Sequence, residues 1–107
     1  MEINGSLIIN EQQCLLRGLH LDLARRPLQI NTILNIIKRM NICNLNTLHL
    51  HLTDDQGIAI NSTILNFNEG LTFEDQILIK QTCDQNNIEI IPEIDIPGHT
   101  IALRSIL

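Results

Sequence analysis

Acidic residues, an arginine and three of the four histidines stand in or just after apolar runs of the sequence: Asp22 with Arg25, His49 and His51 followed by Asp54-Asp55, and Asp95 with His99. A carboxylate beside an imidazole is the common equipment of proton transfer, because histidine titrates near neutrality and an acid can orient it. His49-Leu50-His51 also places two imidazoles on one face of an extended segment, a way to begin a zinc or iron site with Asp54 and His99 nearby. No spacing fixes a metal, and none is assigned. Each pattern has a structural alternative. Asp22 with Arg25 can be a local ion pair holding a loop, Asp54-Asp55 can close a turn through Asx-type hydrogen bonds, and His99 after Pro97-Gly98 can be a turn residue.

The elements that must position these groups alternate in type. Leu15 to Leu23 and Thr47 to Leu52 carry the period-2 pattern of strands, and Ile88 to Ile94 is a β-branched third run. Between the first two, Asn31-Thr32 can cap a helix whose Ile33, Ile36, Ile37 and Met40 form one stripe, ending at Asn44 and Asn46. Between the second and third, Gln56 to Gly70 reads as an excursion with a short extended piece at Ile58 to Ile60. Thr72 then caps a second helix that runs to about Gln85, with a stripe of Phe73, Ile77 and the Lys80 stem widened by Leu78 and Ile79. Asn86-Asn87 suits its stop. The tail after Asp95 is a turn and an apolar, helical start.

Strand, helix, strand, helix, strand with connections of this length implies parallel pairing, hence an α/β fold. The order βαβαβ belongs equally to an open doubly wound sheet and to the first three units of a (β/α)8 barrel, which needs roughly 250 residues in full. Both architectures bind ligands beyond the carboxyl ends of the strands, where Asp22, Arg25, Asp54, Asp55, Asp95 and His99 fall.

Composition narrows the partners. The 107 residues carry a net charge of −5 with seven scattered Lys and Arg, which gives no electrostatic footprint for a nucleic acid. No apolar stretch approaches the roughly 20 residues of a membrane helix, and the start lacks the pattern of a signal peptide, so the chain as written is expected to be cytoplasmic and away from membranes. Cys14, Cys43 and Cys83 are far apart and odd in number, and all three read as small buried hydrophobes. Trp and Tyr are absent and Phe67 and Phe73 are the only aromatic rings other than histidine, leaving few flat faces for a sugar or base.

Three blocks resemble a known family: Arg17-Gly18-Leu19-His20-Leu21-Asp22-Leu23-Ala24-Arg25, then Leu45 through Gly57 with His49-Leu50-His51-Leu52-Thr53-Asp54-Asp55-Gln56-Gly57, then Ile90-Ile91-Pro92-Glu93-Ile94-Asp95-Ile96-Pro97-Gly98-His99. Their order and length are similar to glycoside hydrolase family 20, the exo-acting β-N-acetylhexosaminidases. The resemblance covers about Leu15 to Leu103. It divides the chain into residues 1–14, a leader or remnant of a preceding region, and residues 15–107, part of a catalytic domain.

The resemblance implies a truncated (β/α)8 TIM barrel whose complete form releases terminal non-reducing N-acetyl-D-hexosamine by substrate-assisted retaining catalysis, without a cofactor. By the same resemblance Asp54 and His99 form a relay behind a general-acid Glu, and Arg17 holds hydroxyls of the terminal sugar. Asp22, Arg25, Asp55 and Asp95 support them from behind. The family's Asp-Glu pair follows the fourth strand, beyond these 107 residues, so the chain alone is expected to be inactive and to take a complementary barrel fragment or self-associate. Two departures fall at the pocket rim: Ile58 where the family commonly has an aromatic, and Ala59 beside it in place of a basic residue. Arg17 begins the first strand, which sets it deep in a barrel. A non-catalytic sugar-binding or interaction remnant is the alternative reading, and a metal-binding module through His49 and His51 is a further one.

Overall fold

The computed structural model of the chain describes residues 14–106. The leader expected over residues 1–14 therefore lies, apart from Cys14, outside the described residues. Eight elements succeed one another along the chain: β1 (Gly18–Asp22), α1 (Ile30–Ile42), β2 (Thr47–His51), β3 (Thr53–Asp54), β4 (Gly57–Ile58), α2 (Phe73–Gln85), β5 (Glu89–Glu93) and α3 (Ile101–Ile106). The strands β1, β2 and β5 form one parallel sheet with β2 in the middle, as the helical crossovers require. Register is tight. Leu19, Leu48 and Ile90 lie level, as do Leu21, Leu50 and Pro92.

Side chains alternate across a strand, so this register sorts the sheet into two unlike faces. On one face Leu48 and Leu50 pack with Ile33, Ile37 and Met40 of α1, Ile79 and Cys83 of α2, and Ile88. Leu48 is fully buried there. The other face carries His20, His49 and Ile91 in one row and Asp22, His51 and Glu93 in the next. The sheet surface without helices is thus mainly polar. Apolar side chains are exposed along and beyond the β5 edge, at Ile91, Ile94 and Ile96.

The helix ends show why they stop where they do. Beyond α1, Asn44 takes φ 58° and the N–H groups of Asn44 and Leu45 donate to the carbonyls of Asn41 and Met40. Beyond α2, Asn87 takes φ 55° while the N–H groups of Asn87 and Ile88 donate to the carbonyls of Asp84 and Cys83. Both are Schellman endings with asparagine in the left-handed position, and in each an apolar residue comes next and re-enters the core. At the start of α2, Thr72 accepts from the Asp75 N–H and Asp75 answers to the Thr72 N–H, a complete capping box. The start of α1 differs from expectation: Gln29 is the N-cap with no side-chain bond, so Asn31-Thr32 lie inside the helix. Leu28 and Ile30 pack against the core at this point, and that burial outweighs the missing cap.

The stripe of α2 is also corrected. Ile79 and Cys83 are its buried residues, whereas Phe73, Ile77 and Leu78 are exposed and Lys80 pairs with Asp84 on the solvent side. Of the cysteines only Cys83 is buried; Cys14, before β1, and Cys43, at the end of α1, are exposed outside the packed layers. Burial raises the Cys83 thiol to about 11.

The excursion after β2 is more ordered than a loop. β3 and β4 pair antiparallel across Asp55-Gln56, and Ile60 bridges Leu71 while Ser62 bridges Phe67. Gly57 is obligatory here, because a Cβ would stand 2.8 Å from the Ala24 carbonyl oxygen. α3 closes over this hairpin and buries Leu103. Among the described residues, no helix is long and apolar enough to cross a membrane.

Candidate active site

The last residue of each main strand meets the others at the carboxyl edge of the sheet: Asp22, His51 and Glu93 are level by register. His51 is 6% exposed and sits between two carboxylates. Its Nδ1 is hydrogen-bonded to Glu93 Oε1, and its Nε2 lies 2.9 Å from Asp54 Oδ2. Carboxylates only accept, so with both partners ionised both ring nitrogens donate, which is the imidazolium form. The His51 pKa is accordingly raised, first by the bond to Glu93, with burial opposing and Asp54 adding to the rise.

Asp54 is 2% exposed and takes three partners. Besides His51, Arg25 Nη2 stands 2.9 Å from Oδ2, and the Asp55 N–H donates to Oδ1 at 2.7 Å. The His51 bond is the largest cause holding its carboxyl down at about 2, against burial and with help from Arg25. Asp54 therefore stays ionised near neutrality and serves as a fixed anion rather than a proton donor. Arg25 in turn reaches Asp22 at 3.4 Å, and its backbone N–H donates to the same carboxylate. Asp22–Arg25 is thus the local ion pair of the simpler reading and also one link of a longer chain, Glu93–His51–Asp54–Arg25–Asp22. Glu93 is lowered by His51 first and by His49, whose Nε2 lies 3.1 Å from Oε2.

His99 stands just outside this chain. It has φ 55° and its Nδ1 is 2.8 Å from Asp95 Oδ2, which raises its pKa, with the nearby Asp54 charge contributing next. Its ring centroid is 6.3 Å from that of His51. Asp54 and His99 are neighbours with different bonded partners: Asp54 takes His51 and Arg25, and His99 takes Asp95. Asp95 is tied down by its N–H to Thr53 Oγ1, and Asp55 accepts from the Ile101 N–H at the start of α3. Five of the expected positions, Asp22, Arg25, Asp54, Asp95 and His99, thus converge on one edge, with Asp55 anchoring α3 beside them.

Arg17 is elsewhere. It precedes β1 at the opposite end of the sheet, where its Nε donates to the Asn44 carbonyl at 2.8 Å and its Nη1 to the Cys14 carbonyl. Residue spacing does not single out Glu93, and it points to His51 only as a metal ligand. Strand parity sets Glu93 on one face of β5, and the register with β2 makes that the His51 face. A separate groove of about 390 Å³ between the start of α1 and the hairpin is lined by Leu23, Ile58, Ala59 and Leu71 among others, and no imidazole enters it.

Parallel β/α units with buried acid–imidazole chemistry at the carboxyl edge define a class, the α/β proteins, barrels or open parallel sheets, that work at the carboxyl ends of their strands. The family model of glycosyl hydrolase family 20, catalytic domain, matches residues 15–106. The chain belongs to that family. It is 30% identical over 103 residues to beta-hexosaminidase 3 of Arabidopsis thaliana, covering 89% of this chain and 19% of that protein. It is 31% identical over 107 residues to the beta-hexosaminidase subunit beta of Mus musculus, covering 92% and 20%. Its fold superposes with a TM-score of 0.79 on an exo-β-N-acetylglucosaminidase from Vibrio harveyi solved with N-acetylglucosamine, at 28% identity over 86% of this chain and 18% of that one. The chain therefore spans about a fifth of the length of these curated relatives.

Proposed function

We propose that this chain supplies the first three β/α units of a TIM-barrel β-N-acetylhexosaminidase that removes terminal non-reducing N-acetyl-D-hexosamine from glycans. The observation that carries the reading is the Asp54–His51–Glu93 chain, buried at Asp54 and His51, beside the Asp95–His99 pair at the edge where such barrels bind substrate. In the substrate-assisted mechanism the sugar's 2-acetamido oxygen attacks the anomeric carbon while a Glu gives its proton to the leaving oxygen. Water then opens the oxazolinium ring with the same Glu as base. His99 and the anionic Asp54 would stand behind that Glu, His99 as the proton-affinity tuner and Asp54 as the charge that favours imidazolium. Asp22, Arg25, Asp55 and Asp95 would hold these two in place. Arg17 would bind sugar hydroxyls through its five-donor fork, for which it must leave the carbonyls of Cys14 and Asn44 and reach across from the opposite end of the sheet.

The Asp-Glu pair of the family belongs to a fourth strand, so turnover requires that strand to add beside the unpaired edge of the three-stranded sheet. The test is co-expression of this chain with a fragment carrying strands four to eight of a relative, followed by size-exclusion chromatography and hydrolysis of an aryl N-acetylglucosaminide. The expected result is no hydrolysis by the 107-residue chain, a co-eluting complex, and hydrolysis by the complex that falls at least a hundredfold with Asp54→Ala. Hydrolysis by the chain alone, or a complex whose activity ignores Asp54→Ala, would overturn the reading.

A further inference from the structure

The sheet face without helices gathers imidazoles from neighbouring strands. His20 of β1 is level with His49 of β2, and His51 of β2 is level with Glu93 of β5. The ring centroids of His20 and His49 are 4.5 Å apart and those of His20 and His51 are 6.1 Å apart. One donor atom each from His20, His51 and Glu93 lies within 4.8 Å of the others. We propose that this face binds one divalent transition-metal ion, of the zinc or copper kind, through His20, His51 and Glu93. The inference concerns the sheet itself and stands independently of the glycosidase reading.

Three features favour the site. First, the donor set of imidazole nitrogens with one carboxylate suits zinc and copper and disfavours magnesium or calcium, which take oxygen ligands. Second, His51 is already oriented as a ligand, since its Nε2 is bonded to Asp54 at 2.9 Å and Nδ1 therefore faces Glu93, as in the carboxylate–histidine–metal arrangement. The proton now shared between Nδ1 and Glu93 leaves to solvent as the ion takes its place. Third, closing the set demands little. Ligand atoms on a tetrahedral zinc with bonds of about 2.0–2.1 Å lie about 3.3 Å apart, so donors within 4.8 Å of one another approach by at most about 1.5 Å, while the bonded His51–Glu93 pair opens to admit the ion. His20 can supply that movement by rotating about its side-chain torsions, since its ring is exposed and makes, among the described residues, ring contacts but no hydrogen bond.

A competing set, Asp22, His51 and Asp54, is also compact. The Arg25 guanidinium already occupies it, 2.9 Å from Asp54 and 3.4 Å from Asp22, and a second cation there meets its charge. The two sets share His51 but differ in His20 and Glu93, which makes them separable.

The experiment is titration of chelator-stripped 107-residue chain with Zn2+ by calorimetry and with Cu2+ by electron paramagnetic resonance. The expected result is one ion per chain with nitrogen hyperfine structure in the copper spectrum. His20→Gln and Glu93→Gln should each weaken Zn2+ binding at least tenfold, and His99→Gln should leave it within threefold. Circular dichroism of His20→Gln, an exposed substitution, checks that the fold is kept. Absence of saturable one-to-one binding, or binding indifferent to His20→Gln, overturns the proposal, as does binding lost with His99→Gln.

Discussion

Ile77 and Ile79 lie on the same helix, are the same residue type, and should respond oppositely to truncation. Ile79 is 3% exposed in the layer between sheet and helices, next to Cys83, whereas Ile77 is 55% exposed. Ile79→Ala removes a buried side chain from a small core, with an expected cost of about 2–4 kcal/mol. Ile77→Ala removes little buried area and should stay within about 0.5 kcal/mol. Cys83 provides the readout, because its buried thiol can be alkylated only when this layer opens. In a Cys14→Ser, Cys43→Ser background, Ile79→Ala should speed labelling of Cys83 by about 30- to 700-fold, at 1.4 kcal/mol per factor of ten. Ile77→Ala should change it by less than about threefold, and urea midpoints should rank the variants alike. Equal acceleration by both substitutions would refute the packing described for α2 and restore a stripe running through Phe73 and Ile77.

The charged chain gives stability a defined pH profile. Asp54 is held at about 2 against an ordinary 3.8, and Glu93 is lowered from 4.5, so their contribution is present above those ordinary values and lost as pH falls through the folded ones. His51 and His99 are raised from 6.5, so theirs is full below 6.5 and lost as pH rises through the folded values. Urea midpoints should therefore peak between about 4.5 and 6.5 and fall on both sides; a midpoint that climbs from pH 6.5 to 9 would contradict the assignment. At Gly57, alanine would press its Cβ against the Ala24 carbonyl, and Gly57→Ala should destabilise by about 1–3 kcal/mol in thermal melts, an effect that an unchanged melting temperature would exclude.

Much of the fold was legible because its signals are local. The three main strands fall inside the alternating runs, Thr72 caps where a hydroxyl precedes an acidic first turn, and Asn44 and Asn87 stop helices by accepting a backbone that most residues resist. The misreadings concern which side of an element meets the rest. Phe73, Ile77, Leu78 and Ile79 put apolar residues around much of α2, so periodicity alone offers more than one stripe. The choice of Ile79 and Cys83 is made by the sheet they land on. Likewise the exposure of Cys14 and Cys43 stems from their positions before β1 and at the end of α1, which composition does not reveal.

The site divides along the same line. Asp22, Asp54, Asp95 and His99 could be found from the residues just past each strand's carboxyl end, since parallel sheets work at that edge. Glu93, like Asp22 the last residue of its strand, is harder to see because an acid between Pro92 and Ile94 looks like a solvent-facing residue. Its meaning comes from pairing: β5 must lie beside β2, in the register that sets Glu93 level with His51, before a carboxylate and an imidazole distant in sequence become one group. The character of Asp54 is set by His51, three residues before it, and by Arg25, which the β1–β2 pairing brings alongside. Without His51 it would be an ordinary turn acid bonded to the Asp55 N–H; with His51 and Arg25 it becomes a permanently charged anchor. The chemistry of this edge is therefore a property of strand pairing, and a one-residue slip of β5 would turn Glu93 to the helix face and leave His51 with Asp54 as its remaining acid.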